Sequence, residues 1–335
     1  MSINPILLIG GSGVVGQQTA KQLRAAHPEV PLIIGGRDLA KAQDVATGVG
    51  NAEAVVLDLK AADLGLSDRP VSAVAIFFKD ESLAGLRFAQ SRGVPHLSIS
   101  SVVPEIGPEV AAYIHQPHAA SVVLGAEWLA GAATVPTLEF AKEFAKVHDI
   151  AIGALIDEQE ISGPATTEDF ERLAQTLPAS LARHDGDYIW RDGDEAKATF
   201  HAADGTLMEA SALSPYDVLG LAAATGAPNV QFNLAWGVSS TRRRGEPVST
   251  EIIIELAGQD HTGQPLRTRH AIIHPQGQML LTGLGVSLLL ERLLGLDGQP
   301  ATPAGLYFPY QLLDSTTYFT RLHEIGGQVL TLDVL

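Results

Sequence analysis

A glycine-rich turn between an apolar run and a helical pattern is the feature that most limits how this sequence can fold. The apolar residues 5–9 lead into Gly11, Gly13 and Gly16, which fit G-x-G-x-x-G, and a helix-like stretch covers 17–25. Glycines at this spacing permit a tight turn, close approach of a pyrophosphate to the backbone, and close packing of helix on strand. A turn without a ligand is the alternative interpretation. The residues predicted to bind a dinucleotide here are Gly11, Ser12, Gly13, Val14 and Val15.

The end of the second predicted strand, 30–37, indicates which dinucleotide binds. NAD sites usually place an acidic residue here, where it binds the ribose 2′-OH. This chain has Gly36, which leaves room for a 2′-phosphate, and Arg37, whose guanidinium can pair with that phosphate bidentately. Asp38 also lies at the predicted cofactor site and is the counter-argument, but its position predicts that it caps the next helix. The sequence therefore favours NADP(H), with NAD(H) as the alternative.

Polar residues that follow the later strands are further candidates for the cofactor site. Asp58 ends the third predicted strand and either contacts the adenine or is a solvated turn carboxylate. Phe78 and Lys79 follow the fourth strand, so we expect them near the nicotinamide ribose. Lys79 either polarises a substrate carbonyl or is simply solvated. Ser100 follows the fifth strand and either caps the next helix or contacts the nicotinamide carboxamide.

The segment after the sixth predicted strand contains a carboxylate in apolar surroundings. Glu127 could bind a substrate ammonium or act as a general acid or base, and the alternative is a charge at a helix start. With Lys79 it is our candidate for a catalytic residue. Four other side chains are candidate substrate contacts, although each could equally be structural. They are Trp128, Tyr216, Trp236 and Arg242.

Composition excludes several classes of function. The formal net charge of −16 disfavours nucleic acid and anionic membranes as partners, so we expect a small-molecule substrate. The absence of cysteine excludes disulfides, thiolate catalysis and cysteine-based metal sites. The histidine pairs 115/118 and 270/274 lack a placed carboxylate, so no metal is predicted. No signal peptide or membrane-spanning segment is recognisable, which predicts a cytoplasmic protein.

The order of predicted elements indicates an α/β fold with a doubly wound Rossmann sheet and a second, α+β domain that contains an antiparallel sheet. Strands and helices alternate over 1–130, and 131–304 form the second domain with predicted helices at 137–147 and 167–177. A further helix is predicted at 309–325. The long apolar helix 278–294 would lie in the core or in the interface of a homodimer. The strands that we expect to pair antiparallel are 229–237, 250–258 and 266–274.

Residues 6–16, followed by 35–37, resemble the N-terminal domain of saccharopine dehydrogenase-like (saccharopine reductase-like) NAD(P)-binding proteins. The order of later elements is similar too. The resemblance implies NAD(P)-dependent reduction of an imine or oxidation of a secondary amine, and a C-terminal segment, 305–335, that returns to the nucleotide domain. The alternatives are a carbonyl or enoyl reductase and a non-catalytic NADP(H)-binding sensor. No motif here matches the substrate-binding arginines of the family.

Overall fold

The computed structural model describes residues 3–99, 106–160 and 179–335. They divide into two compact units, one made of Met1–Ala126 and Thr282–Leu313, the other of Glu127–Leu281 and Asp314–Leu335. The strands, in chain order, are β1 (Ile6–Ile9), β2 (Leu32–Gly36), β3 (Ala52–Val56), β4 (Ala73–Ile76), β5 (His96–Ser98), β6 (Ser121–Leu124), β7 (Phe144–Asp157), β8 (Ser180–His184), β9 (Asp187–Arg191), β10 (Lys197–His201), β11 (Leu207–Ala212), β12 (Asn229–Gly237), β13 (Thr250–Asp260), β14 (Pro265–His274), β15 (Gly305–Tyr307) and β16 (Gln328–Thr331). The α-helices are α1 (Val14–Ala26), α2 (Leu39–Val49), α3 (Ala84–Arg92), α4 (Ile106–His115), α5 (Thr134–Phe140), α6 (Asp217–Thr225), α7 (Ser240–Arg243), α8 (Gln278–Leu294), α9 (Pro309–Leu312) and α10 (Ser315–Glu324).

The first unit contains a parallel sheet in the order β15-β6-β5-β4-β1-β2-β3. Every pair of neighbouring strands in it runs parallel. β1 and β4 are buried throughout, as expected for central strands of a parallel sheet covered on both faces. The predicted Rossmann sheet is confirmed, and the late strand β15 extends it by pairing with β6.

The second unit contains a mixed sheet in the order β10-β11-β12-β7-β13-β14-β16. The predicted α+β character is confirmed, but one detail of the strand pairing was wrong. β13 and β14 pair antiparallel as expected, whereas β12 runs parallel to β7 and is separated from β13 by it. The reason is that β7 is a long strand with almost every residue from Ile150 onwards buried, so it is central and binds a neighbour along each edge.

Two predicted helices also differ from the structure. The helix expected at 137–147 is α5 followed by a short 3-10 turn, and Phe144 already belongs to β7, where pairing with β13 satisfies its backbone. The helix expected at 309–325 is interrupted between α9 and α10, because Asp314 caps α10 by accepting a 2.8 Å hydrogen bond from the Thr317 N–H. A helix predicted at 167–177 lies outside the described residues.

The C-terminal part of the chain contributes to both sheets. β15 lies in the parallel sheet and β16 pairs with β14 in the mixed sheet, so the segment predicted as 305–335 is divided between the units. The long helix is found at the predicted residues, and it crosses the boundary at Thr282. In the part of the chain that the structure describes, no helix has the length and apolar character needed to cross a membrane.

Candidate functional site

The turn between β1 and α1 is held by hydrogen bonds between main-chain atoms. The Gly10 N–H donates to the carbonyl of Gly35 at 2.8 Å, which ties the turn to β2. The Gly11 N–H donates to Leu8 at 3.1 Å, and the Gly13 N–H donates to Gly10 at 2.9 Å. The turn therefore has one defined shape without the help of any side chain in these bonds.

Close contacts explain why glycine is required in this turn. A Cβ on Gly16 would lie 2.6 Å from the Cα of Gly11, and a Cβ on Gly13 would lie 3.2 Å from the carbonyl oxygen of Gly10. α1 begins at Val14, and its N-cap residue, Gly13, supplies no side-chain hydrogen bond. The first N–H groups of a helix have no partner within it, so this helix start offers donors and a positive dipole end to an anion. The turn fits a dinucleotide pyrophosphate.

The end of β2 lies beside this turn. A Cβ on Gly36 would be 3.7 Å from Ser12 Oγ, so nothing bulky separates the two. Arg37 is exposed and forms no hydrogen bond or ion pair with any described residue. Asp38 caps α2, as predicted, by accepting a 3.1 Å hydrogen bond from the Lys41 N–H. The guanidinium of Arg37 is therefore the charged group at this strand end that no other described side chain engages.

Asp58 lies in a turn beyond β3, which ends two residues earlier at Val56. Its carboxylate is exposed and accepts a 2.9 Å hydrogen bond from the Lys60 N–H. This is a local Asx-type contact that stabilises the turn. Contact between Asp58 and an adenine stays a prediction.

Phe78 and Lys79 follow β4, and both are half-buried. Phe78 lies against the glycine turn, since a Cβ on Gly10 would be 2.9 Å from its ring carbon Cδ1. Its ring thus forms part of the surface next to the predicted cofactor position. Ser100 lies outside the described residues.

Three polar residues, one beyond the carboxyl end of β4 and two within β5, were not assigned to the site from the sequence. Asp80, His96 and Ser98 line a small cavity together with Phe78. Burial lowers the pKa of His96 to about 4, and the nearby Asp80 carboxylate opposes this only in part, so the imidazole is neutral at pH 7. Asp80 itself accepts a 2.8 Å hydrogen bond from the Gly85 N–H in the first turn of α3. The sequence signal that could have identified His96 is a histidine at the start of a predicted strand.

In the second unit, Glu127 and Trp128 are both buried, with 4% and 9% of their surfaces exposed. The indole ring of Trp128 packs against Phe232 at a centroid distance of 5.4 Å. The main-chain N–H of Trp128 donates to the carboxylate of Asp217 at 2.6 Å. Asp217, an acidic residue in the first turn of α6, was not identified by the sequence analysis. Burial raises its pKa to about 6, although hydrogen bonds from Thr134 and Trp128 oppose the shift.

The remaining substrate candidates of the second unit lie in different surroundings. Tyr216 is buried at the start of α6, and Trp236 is 52% exposed near the end of β12. Arg242 pairs with two carboxylates, Asp157 at 3.0 Å and Glu158 at 2.8 Å. The positive charge of Arg242 is therefore already compensated, and a substrate carboxylate would have to compete with both partners.

The histidine pair of β14 does not face a set of further ligands. His270 stacks on Phe140 with ring centroids 3.9 Å apart, and His274 is hydrogen-bonded through Nε2 to the carbonyl of Ile325 at 3.1 Å. Burial lowers the pKa of both imidazoles. Among the residues that the structure describes, no group of three or more His, Asp or Glu side chains is arranged to hold a metal ion.

Solved structures share the combination of a parallel sheet of Rossmann order and a mixed-sheet unit. Saccharopine dehydrogenase (L-Glu forming) from Saccharomyces cerevisiae has this fold, with a TM-score of 0.68, 12% identity, and coverage of 98% of this chain and 100% of that one. GenD2 from gentamicin A biosynthesis, in complex with NAD, matches with a TM-score of 0.51, 13% identity, and coverage of 100% and 97%. The amine dehydrogenase from Mycobacterium smegmatis matches with a TM-score of 0.51, 14% identity, and coverage of 92% and 96%.

The resemblance seen in the sequence is thus confirmed at the level of the fold, which is saccharopine dehydrogenase-like. No protein-family model matches the sequence, and no curated protein matches it either.

Proposed function

We propose that this chain is an NADP(H)-dependent oxidoreductase that interconverts a C=N bond and a secondary amine in a small substrate. The observation that carries the cofactor assignment is the end of β2, where Gly36 lies beside Ser12 of the glycine turn and Arg37 is exposed. A 2′-phosphate in this position would find space at Gly36 and a bidentate partner in Arg37.

The residues present fit a nicotinamide dinucleotide. The helix start after Gly13 would bind the pyrophosphate, and a Cβ there would close the space that the phosphates need. Phe78 and Lys79 would border the ribose on the nicotinamide side. When bound, the nicotinamide supplies or accepts the hydride.

Support for an amine or imine substrate comes from the similar structures. Two of them are named as dehydrogenases of amines, saccharopine being a secondary amine. Reduction of an imine needs one proton at nitrogen in addition to a hydride at carbon, and Glu127 is our candidate for the group that holds this proton or binds a substrate ammonium. Trp128, Tyr216 and Trp236 are the candidate apolar contacts with the substrate, and Lys79 is the alternative polarising group.

The cofactor assignment is tested by titrating NADPH and NADH into the wild-type protein and into Arg37→Ala. Removing a charge-assisted contact should weaken NADPH binding by about tenfold to a hundredfold. Binding of NADH should stay nearly unchanged. Lys21→Ala is the matched control, because Lys21 is an exposed cation on α1 of the same unit. Equal NADPH affinity in wild type and Arg37→Ala would refute the NADP(H) assignment.

The reaction is tested with a panel of imines, ketones and enones and NADPH as the reductant. We expect turnover of imines, and Glu127→Gln should lower kcat without changing NADPH affinity. Faster turnover of ketones or enones would replace this proposal by a carbonyl or enoyl reductase. Tight NADPH binding without turnover of any compound would favour a non-catalytic sensor.

A further inference from the structure

We infer that Asp217 is a positioning residue, which holds the Glu127–Trp128 segment in the one conformation that presents these side chains to a substrate. The inference rests on the proposed function, because it assigns Glu127 and Trp128 to the substrate side. Asp217 is fully buried, and its two oxygens accept from two different elements. Oδ2 accepts from the Trp128 main-chain N–H at 2.6 Å, and Oδ1 accepts from the Thr134 hydroxyl at 2.7 Å.

The segment that Asp217 holds has an unfavourable backbone conformation. Leu129, Ala130 and Gly131 follow one another with φ angles of +50°, +56° and +101°. Residues other than glycine rarely adopt a backbone conformation in this left-handed region, and consecutive residues in it are rarer still. Such strain persists only where the surroundings determine the conformation, and it concentrates at functional sites. The two donors to Asp217 lie on either side of these residues, Trp128 directly before them and Thr134 three residues after Gly131.

The indole of Trp128 is held by packing and, within the described residues, not by a hydrogen bond. Its ring packs against Phe232. The indole N–H is a buried donor without a partner among the described residues. Because no hydrogen bond to a described residue anchors the ring itself, the main-chain hydrogen bond to Asp217 fixes the backbone position from which the side chains of Trp128 and Glu127 extend.

The two donors to Asp217 respond differently when its charge is removed. In Asp217→Asn, the amide oxygen can still accept from the Trp128 N–H while the amide NH2 donates to the Thr134 hydroxyl, whereas Asp217→Leu has no acceptor and loses both hydrogen bonds. The hydroxyl of Thr134 can rotate to accept in Asp217→Asn, but the main-chain N–H of Trp128 can only donate. Thr134→Val removes the other donor and leaves the Trp128 bond intact. Asp217→Leu and Thr134→Val therefore separate the anchoring of Trp128 from the general stability of the site.

The first experiment follows Trp128 without any substrate. In a Trp190→Phe/Trp236→Phe background, Trp128 is the remaining tryptophan, since the chain has three. We expect Asp217→Leu to shift its emission to the red and to increase acrylamide quenching, while Asp217→Asn and Thr134→Val change both much less. The matched control is Glu251→Gln, another fully buried carboxylate of the second unit, which accepts from the Ala203 and Ser240 N–H groups. It should lower stability without changing the Trp128 signal.

The second experiment measures NADPH binding and turnover with the best substrate of the panel, in the background with all three tryptophans. Asp217→Leu should keep the wild-type NADPH affinity and lower kcat on the order of tenfold to a hundredfold, as expected when a reacting group is misplaced. Thr134→Val should retain most of the wild-type kcat.

An unchanged Trp128 signal in folded Asp217→Leu would overturn the inference, as would a signal change shared equally by Glu251→Gln. If the wild-type protein turns over nothing, the proposed function fails while the fluorescence result still decides whether Asp217 positions the segment.

Discussion

Gly16→Ala adds a single methyl group at the point where α1 meets the glycine turn. Its Cβ would lie 2.6 Å from the Cα of Gly11 and 2.8 Å from the carbonyl oxygen of the same residue. Carbon atoms in contact normally lie about 3.5–4.0 Å apart, so the helix start or the turn must move by about 1 Å. Both atoms on the far side are main-chain atoms, and no side-chain rotation can relieve the contact.

The expected effects on stability and on binding follow from this displacement. Overpacking of this kind costs about 1–3 kcal/mol of the free energy of unfolding. A 1 Å shift of the helix start also moves the N–H donors out of hydrogen-bond distance from the pyrophosphate, and each lost bond to a charged group costs about 1.5–3 kcal/mol. We therefore expect Gly16→Ala to weaken NADPH binding by at least about tenfold.

The same substitution at Gly48 supplies the control. Gly48 lies within α2 of the same unit, and a Cβ there would meet no atom within 4 Å. Gly48→Ala should stabilise the protein by about 0.5–1 kcal/mol, because alanine is the better helix former, and should leave binding unchanged. Urea denaturation and NADPH titration of both variants test the pair. Wild-type affinity in Gly16→Ala would refute the assignment of the turn to the pyrophosphate.

Three further predictions concern buried groups. Gly125→Ala would place a Cβ 1.9 Å from the Ser98 carbonyl oxygen, so urea denaturation should show a loss of at least about 3 kcal/mol, whereas Gly107→Ala, with open space, should cost almost nothing. Because burial lowers the pKa of His96 from 6.5 to about 4, its contribution to the free energy of unfolding is complete above pH 6.5 and is lost as the pH falls towards 4. The expected change is about 3 kcal/mol, and it should be missing from denaturation of His96→Asn. Burial raises the pKa of Asp217 from 3.8 to about 6, so the free energy of unfolding should fall as the pH rises from 3.8 to about 6 in the wild type. This decline should be absent from Asp217→Asn.

The first unit could be predicted from the sequence because its signals are local. The glycine spacing, the apolar runs and the alternation with helices each lie within a few residues of the element that they predict. The Asp38 cap is a further example, since the carboxylate and the Lys41 N–H that it accepts are three residues apart. Parallel neighbours in such a sheet follow the chain order closely, so the order of strands was predictable as well.

The second unit could be predicted only as a class. β7 pairs with β12, about 80 residues further along the chain, and this pairing depends on burial that no local pattern records. The residues 144–147 were assigned to a helix because their own propensity does not exclude it, but pairing with β13 outweighs propensity. The break at Asp314 did have a local signal, the capping residue itself, but the apolar pattern on both sides of Asp314 was interpreted as one continuous helix.

The candidate site shows why charged residues are the hardest to assign from a sequence. Arg242 stands in a basic cluster and was predicted to bind substrate, yet the fold places two carboxylates against it and leaves little positive charge for a ligand. Asp217 had no distinguishing feature, since an acidic residue in a first helical turn is common and usually solvated. Its partners Trp128 and Thr134 lie 89 and 83 residues earlier in the chain. What separates the two cases is the dielectric environment, because a carboxylate removed from water is retained only where specific donors compensate it. A buried acid whose two donors flank three consecutive left-handed residues is therefore better evidence of a positioned segment than a cluster of arginines paired with carboxylates is of a binding site.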